Sequence, residues 1–299
     1  MTLKLEGITK RFGTHTAVND LSLAIPESEM FGLLGANGAG KTTTFRMILG
    51  LLNPSEGQIS WDGKPIGYHA SDSIGYLPEE RGLYPKVKVR DQLIYLGRLK
   101  GMKKQEALSE MEKWLDRFRV PEYAGKKVED LSKGNQQKIQ FITAVLHRPK
   151  LLILDEPFSG LDPVNVELLK EAVLDLKKQG TSIVFSSHRM EHVEELCQHL
   201  CILHRGKPVV HGNLKEIKRS FGKKNVIIHG DFEMDDLQHM KGVTKFRQTS
   251  SGAELQVTGE EISQEIFASL SGRGFVRKFE LAEPSLNDIF IEKAGAVYE

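Results

Sequence analysis

With 299 residues, the chain is long enough for one large domain or for a large and a small one. A hydrophobic share of 39% against 27% charged residues describes an ordinary folded soluble protein and excludes a disordered or membrane-spanning one. The balance of 41 Lys and Arg against 40 Asp and Glu leaves a net charge of +1, which gives no electrostatic reason for wholesale binding to nucleic acid or anionic lipid.

The opening MTLKLEGITK lacks the basic-then-apolar pattern of a secretory signal. No apolar run approaches the roughly 18 residues needed to span a bilayer. Any work at a membrane is therefore expected from the cytoplasmic side, through a partner. Cys197 and Cys201 cannot form a disulfide framework, and a reducing compartment is the simpler reading.

Along the first two-thirds of the chain, short apolar runs alternate with amphipathic stretches, the rhythm of an α/β domain. Strands are predicted at Leu3 to Ile8, Leu21 to Ile25, Met30 to Leu34, Leu151 to Leu154 and Ile183 to Ser186. The last three are near-continuous apolar runs, as in strands buried on both faces. Helices are predicted at Lys41 to Leu52, Gln92 to Leu99, Lys104 to Arg119 and Ser132 to His147, with another opening at Pro163 and ending near Gly180. The composition shifts near Asn213. Beyond it we read strands at Asn225 to His229, Val243 to Gln248, Glu254 to Val257 and Phe275 to Leu281, and helices at Met234 to Met240, Ile262 to Leu270 and Ser285 to Glu292. The order βαββαβ matches a ferredoxin-like arrangement.

Three motifs carry chemistry. Gly35-Ala36-Asn37-Gly38-Ala39-Gly40-Lys41-Thr42 fits G-x-x-x-x-G-K-[ST], after an apolar run and before a helical one. Its glycines let successive N–H groups face phosphate oxygens, and the helix adds its positive end. Lys41 would reach the β- and γ-phosphates and the Thr42 hydroxyl would ligate Mg²⁺. The plain alternative is a glycine-rich turn with a chance lysine. Next, Leu151 to Leu154 delivers Asp155 and Glu156 to the edge of a sheet, where Asp155 can hold Mg²⁺ and Glu156 can polarise an attacking water. A strand ending in solvated acids is the alternative there. Third, Leu131-Ser132-Lys133-Gly134-Asn135-Gln136-Gln137-Lys138 opens a helix about twenty residues before Asp155.

With this third motif, residues 1 to 212 closely resemble the ATP-binding cassette (ABC) ATPase family, whose signature is LSGGQ followed by a helix. Ser159-Gly160-Leu161-Asp162 resembles the family's D-loop, Ser186-Ser187-His188 its switch histidine, and Phe12 its adenine-stacking aromatic. The resemblance implies a phosphate-loop NTPase cassette: a RecA-like α/β core with an antiparallel β part, a helical insertion at about 86–148, and a small α+β accessory domain over 213–299. It implies ATP hydrolysis with Mg²⁺. Nucleotide contacts are expected from Phe12, Gly35, Ala36, Asn37, Gly38, Ala39, Gly40, Lys41, Thr42, Thr43, Ser132, Gly134 and Asp162. Metal contacts are expected from Thr42, Glu79 and Asp155, and Glu156 and His188 form the catalytic pair. Ser132, the Gly134 N–H and the following helix N-terminus would bind the nucleotide of a facing subunit, in a homodimer or heterodimer of cassettes.

Two positions depart from the family pattern. Lys133 and Asn135 replace a Gly and a Gln of the signature, while the phosphate-facing Ser132 and Gly134 are kept. Glu79 stands where the family usually has Gln, and a carboxylate remains a good ligand for a hard cation. The run Pro78-Glu79-Glu80-Arg81-Gly82-Leu83-Tyr84-Pro85 resembles cassettes that serve small exporters, including sodium-efflux systems. The expected partner is a separate membrane permease, docking in an exposed apolar groove around Tyr84 and Pro85, with the chain peripheral on the inner face of the cell membrane. No nucleic acid is expected. The histidines and cysteines between His188 and His204 suggest zinc, but their spacing argues for buried core cysteines instead.

Overall fold

The computed structural model describes residues 2–80 and 82–295, and the chain divides into two compact units, 1–211 and 212–299. In the first, the elements run β1 (Leu3–Phe12), β2 (His15–Ile25), β3 (Met30–Leu34), α1 (Lys41–Ile48), β4 (Glu56–Trp61), β5 (Lys64–Pro65), β6 (Ile74–Leu77), α2 (Val89–Leu99), α3 (Lys104–Arg117), α4 (Lys133–Val145), β7 (Leu151–Leu154), α5 (Pro163–Lys178), β8 (Ser182–Ser187), α6 (Met190–Leu196), β9 (His199–His204) and β10 (Lys207–Asn213).

Two sheets organise this unit. An antiparallel sheet has the order β2-β1-β4-β5, and a six-stranded sheet the order β10-β9-β3-β8-β7-β6. In the second, β9, β3, β8, β7 and β6 pair in parallel, and β3, β7 and β8 are buried at every position. Their continuous apolar runs are legible for that reason: with both faces covered, nothing selects alternation. Strand β1 alternates instead, because one face of its sheet meets the core and the other meets water.

One apolar cluster joins Leu3, Leu5 and Leu21 of the antiparallel sheet to Phe31, Leu33, Ile153 and Val184 of the parallel one. Phe45 and Ile48 of α1 belong to the same cluster. Burying a side chain such as Phe45 contributes about 1.5–3 kcal/mol, and it holds α1 in this cluster. The predicted helix from Lys41 to Leu52 stops at Ile48. Gly50, at φ 69°, donates its N–H to the Met47 carbonyl, and Leu51 donates to that of Arg46, closing the last turn. Between β6 and β7 lie α2, α3 and α4 of the insertion. Ser132 caps α4 by accepting the Asn135 N–H, and Asp162 caps α5 with Pro163 in its first turn.

The second unit contains α7 (Leu214–Ser220), β11 (Lys224–Gly230), β12 (Val243–Thr249), β13 (Gly252–Val257), α8 (Glu260–Ser269), β14 (Val276–Ala282) and α9 (Leu286–Gly295). Its sheet order is β12-β13-β11-β14, with antiparallel neighbours throughout, which is the ferredoxin-like split βαβ arrangement. The predicted helix Met234 to Met240 is a 3₁₀ turn at Asp235–His239. Leu237 donates to Met234 and Met240 to Leu237, three residues back each time. Its hydrogen bonds close three residues back, the tighter geometry that short helical pieces often take. Val226, Ile228, Leu255, Val257, Leu237, Ile266 and Leu270 form this unit's core.

Candidate active site

The sheet order places the site. Strand β8 lies between β3 and β7, so the loop after β3, the carboxylates after β7 and His188 after β8 emerge together at the carboxyl edge of one parallel sheet.

After β3 the chain wraps through Gly35 to Gly40 into α1. Two of these glycines are obligatory on both conformational and spatial grounds. Gly35 has φ 150°, and a Cβ there would lie 2.5 Å from the Leu203 carbonyl oxygen. Gly40 has φ 105°, and its Cβ would lie 2.5 Å from that of Ala17. The Lys41 side chain folds back over the loop, and its ammonium donates to the carbonyls of Gly35 at 2.7 Å and Ala36 at 3.3 Å. A cavity of about 470 Å³ opens above it. Its lining comprises Phe12, His15, Ala17, Asn37, Gly38, Ala39, Gly40, Lys41, Thr42, Thr43 and Glu79. Phe12 is 47% exposed, near the tip of the β1–β2 hairpin, and the Lys10 ammonium stands 5.4 Å from its ring centre.

Behind the loop stands a buried polar cluster. Asp155 is fully buried, and each carboxylate oxygen accepts a hydroxyl: Thr42 Oγ1 at 2.8 Å and Ser186 Oγ at 2.5 Å. Ser186 Oγ in turn accepts the Glu156 N–H at 2.9 Å. Glu156 holds a left-handed backbone at φ 50°, a conformation costing about 1–3 kcal/mol in a residue with a Cβ. The Ser186 bond helps to fix it there. The Glu156 side chain is buried, with Oε2 at 2.9 Å from His188 Nδ1 and Oε1 at 3.8 Å from the Lys41 ammonium. While Glu156 is ionised, His188 Nδ1 must carry the proton, because a carboxylate only accepts. Burial pushes the Glu156 carboxyl above the usual range, opposed by the charges of His188 and Lys41. Glu156 Oε1 is buried and makes no hydrogen bond within the protein. It is an acceptor facing the Lys41 ammonium of the phosphate loop.

The oxygens fit a magnesium ion. Thr42 Oγ1 and Asp155 Oδ2 are 2.8 Å apart, close to the spacing of about 2.9 Å between adjacent ligands of an octahedron with bonds of about 2.05 Å. Both are hard donors beside the phosphate loop, and Mg²⁺ ordinarily takes one or two such protein oxygens together with substrate phosphates. Among the described residues, no cluster of three or more His, Cys, Asp or Glu forms a further metal site. Cys197 and Cys201 are buried, and burial pushes the Cys201 thiol up to about 12.

Ser132, Gly134 and Asp162 lie apart from this cavity. A Cβ on Gly134 would stand 3.5 Å from the Leu161 side chain and 3.8 Å from the Gly160 carbonyl, so the start of α4 abuts the Ser159 to Asp162 loop. Ser132 and Asp162 are exposed, and both side chains cap helices. The Asp162 carboxyl is held below the usual range by the backbone N–H of Asn165. Ser186, which bonds to Asp155 and to the Glu156 backbone, stands out in the sequence only as part of the Ser186-Ser187-His188 strand end. No sequence motif marks His15 and Ala17 as lining residues. A serine inside an apolar buried strand was the available signal for the first.

Comparison with known proteins agrees with this geometry. The family model for ABC transporters matches residues 18–159. Over 297 residues the chain is 70% identical to the ABC transporter ATP-binding protein YhaQ of Bacillus subtilis (strain 168), covering 99% of this chain and all of that protein. The chain belongs to the ABC transporter ATP-binding proteins. As such a cassette it binds ATP and hydrolyses it, and its fold is that of the family's phosphate-loop NTPases. A solved ATP-binding subunit of an ABC transporter superposes with a TM-score of 0.70 at 31% identity, covering 74% of the cassette chain and 94% of that structure. Residues 212–294 match the C-terminal domain of DrrA1-3-like ATP-binding proteins. A Nod factor export ATP-binding protein I of Cupriavidus metallidurans (strain ATCC 43123 / DSM 2839 / NBRC 102507 / CH34) is 33% identical over 98% of this chain and 97% of its own. No helix among the described residues is long and apolar enough to cross a membrane.

Proposed function

We propose that the cassette hydrolyses ATP with Glu156 as the general base, and that this drives export of a small substrate through a separate permease. The observation that carries the chemistry is the placement of Glu156 between Lys41 and His188, with one carboxylate oxygen making no hydrogen bond within the protein. Lys41 neutralises the β- and γ-phosphates, and the loop N–H groups cradle them. Thr42 and Asp155, with Glu79 from the cavity wall, would hold Mg²⁺, which when bound supplies positive charge to the phosphate oxygens. Glu156 accepts the proton as a water oxygen bonds to the γ-phosphorus and the bond to the β-phosphate bridging oxygen breaks, giving ADP and phosphate. His188 holds Glu156 in place through Nδ1, and its second ring nitrogen can serve the γ-phosphate only as a donor, carrying a proton of its own.

This chain carries both halves of a nucleotide sandwich, Lys41 with Glu156 and Ser132 with Gly134, so two copies complete two sites. The helix N-terminus at Ser132 supplies the second phosphate contact across the pair. Exposed Tyr84, Val87 and Tyr95 support permease docking beside the Glu79 loop. The resemblance of the Pro78 to Pro85 run to exporter cassettes, and the relatives named for export, support the direction. A peripheral position on the inner face of the membrane follows from that partner. Purifying the tagged chain from detergent-solubilised membranes is expected to recover a stoichiometric integral membrane protein; recovery of the cassette alone contradicts the reading.

The carboxylate at Glu79 adds a second expected result. Glu79→Gln keeps the shape but removes a charge from the metal's surroundings. The Mg²⁺ concentration for half-maximal turnover should rise about tenfold, as read by titrating Mg²⁺ at saturating ATP. An unchanged midpoint removes Glu79 from the metal site.

A further inference from the structure

Helix α4, which begins beside Ser132, carries two buried glutamines whose bonding partners lie outside the helix. Gln137 and Gln140 are 7% and 3% exposed and, three residues apart, share one face. Gln137 Nε2 donates at 3.2 Å to the carbonyl of Pro157, the residue after Glu156. Gln140 Nε2 donates to the carbonyls of Pro78 at 3.1 Å and Glu80 at 3.0 Å, the two residues flanking Glu79. All three partners are carbonyls, so the amide nitrogen must face them. Gln140 Oε1 is buried with no hydrogen-bond partner. Its neighbours in the helix, Ile139, Phe141 and Ile142, are fully buried hydrophobics. An apolar residue would suit that packing better than a half-satisfied amide. The donor contacts to the two loops are what the glutamine adds.

A third glutamine fastens the start of the helix. Gln136 Nε2 donates to the carbonyls of Val128 at 3.1 Å and Leu131 at 3.0 Å. The helix is thereby tied at its entry to the residues before Ser132, and along one face to the loops that follow Glu156 and carry Glu79.

We propose that Gln137 and Gln140 are positioning residues that couple the two nucleotide sites of the cassette pair. When the partner's nucleotide engages Ser132 and Gly134, it fixes the N-terminal end of α4. The two amides pass that position to the Glu156 and Glu79 loops, which serve the chain's own nucleotide. Hydrolysis at one site thus depends on occupancy of the other through a direct hydrogen-bonded link. This rests on the functional reading above, in which Glu156 and Glu79 act on one nucleotide and Ser132 on the other.

The test uses the full chain with Gln137→Met and Gln140→Met together, since Met keeps length and burial but cannot donate. Thermal melting, equilibrium binding of a fluorescent ATP analogue and the ATP dependence of Mg²⁺-supported hydrolysis are measured alongside wild type and Glu156→Gln. Wild type should hydrolyse ATP with a Hill coefficient of about 1.5 or more. In the double variant, kcat should fall about tenfold or more while analogue binding stays within about twofold, and the Hill coefficient should drop to about 1. An active but non-cooperative wild type, an unchanged double variant, or a loss of binding in step with kcat each overturns the proposal. Wild-type turnover in Glu156→Gln would instead overturn the functional reading beneath it. If the double variant does not fold, Gln137→Met alone is read by the same assays and the same outcomes decide.

Discussion

Replacing Glu156 by glutamine is expected to lower steady-state ATP turnover by about 10²- to 10⁴-fold, the range a positioned general base supplies. Nucleotide binding should change by no more than about twofold. The substitution is nearly isosteric and removes a charge that burial already disfavours, so the fold should persist. The Glu156 N–H still donates to Ser186, and the left-handed backbone at this position is unaffected in kind. What disappears is the acceptor at Oε1, the oxygen that makes no hydrogen bond within the protein. Phosphate release and equilibrium nucleotide binding, measured on the same preparation, separate the two effects. Turnover within about twofold of wild type would assign proton acceptance to another group.

Lys41→Ala should behave in the opposite way, losing binding first. The Lys41 ammonium is buried against the Gly35 and Ala36 carbonyls and faces Glu156 at 3.8 Å. Its hydrogen bonds to phosphate are charge-assisted and contribute about 1.5–3 kcal/mol, so the dissociation constant for ATP should rise about 10- to 100-fold. Truncation also leaves the loop carbonyls and the buried Glu156 carboxylate without their cation. Isothermal titration with ATP reads the first effect, and the melting temperature, expected to fall, reads the second. Wild-type affinity in Lys41→Ala would place the triphosphate elsewhere.

The sequence revealed most where one physical constraint acted alone. Strands β3, β7 and β8 were legible as apolar runs because burial on both faces leaves no other solution. The phosphate loop was legible because its glycines are dictated by φ and by the approach of the Leu203 and Ala17 carbonyls. Elements with mixed constraints were missed. Strand β4 has a single buried position, and the apolar run of β6 is broken by Gly75 and the half-buried Tyr76, so neither shows a clear pattern. The helix predicted at Met234 is a 3₁₀ turn, and periodicity over so few residues does not separate the two geometries. At the site, residues acting through their own chemistry, such as Lys41 and Glu156, stood out in motifs. Ser186 and Gln140 act by holding other groups through long-range hydrogen bonds, and those partners are 30 or more positions away in the chain. Only the fold brings them together.

Sedimentation velocity of the Glu156→Gln chain, with and without ATP, tests the sandwich itself. A bound triphosphate should draw two copies together, Lys41 of one and Ser132 of the other meeting the same phosphates, so the chain should sediment as a monomer without nucleotide and as a dimer with ATP. Lys41→Ala or Ser132→Arg, introduced into the same background, should keep it monomeric. A chain that stays monomeric at saturating ATP contradicts the account.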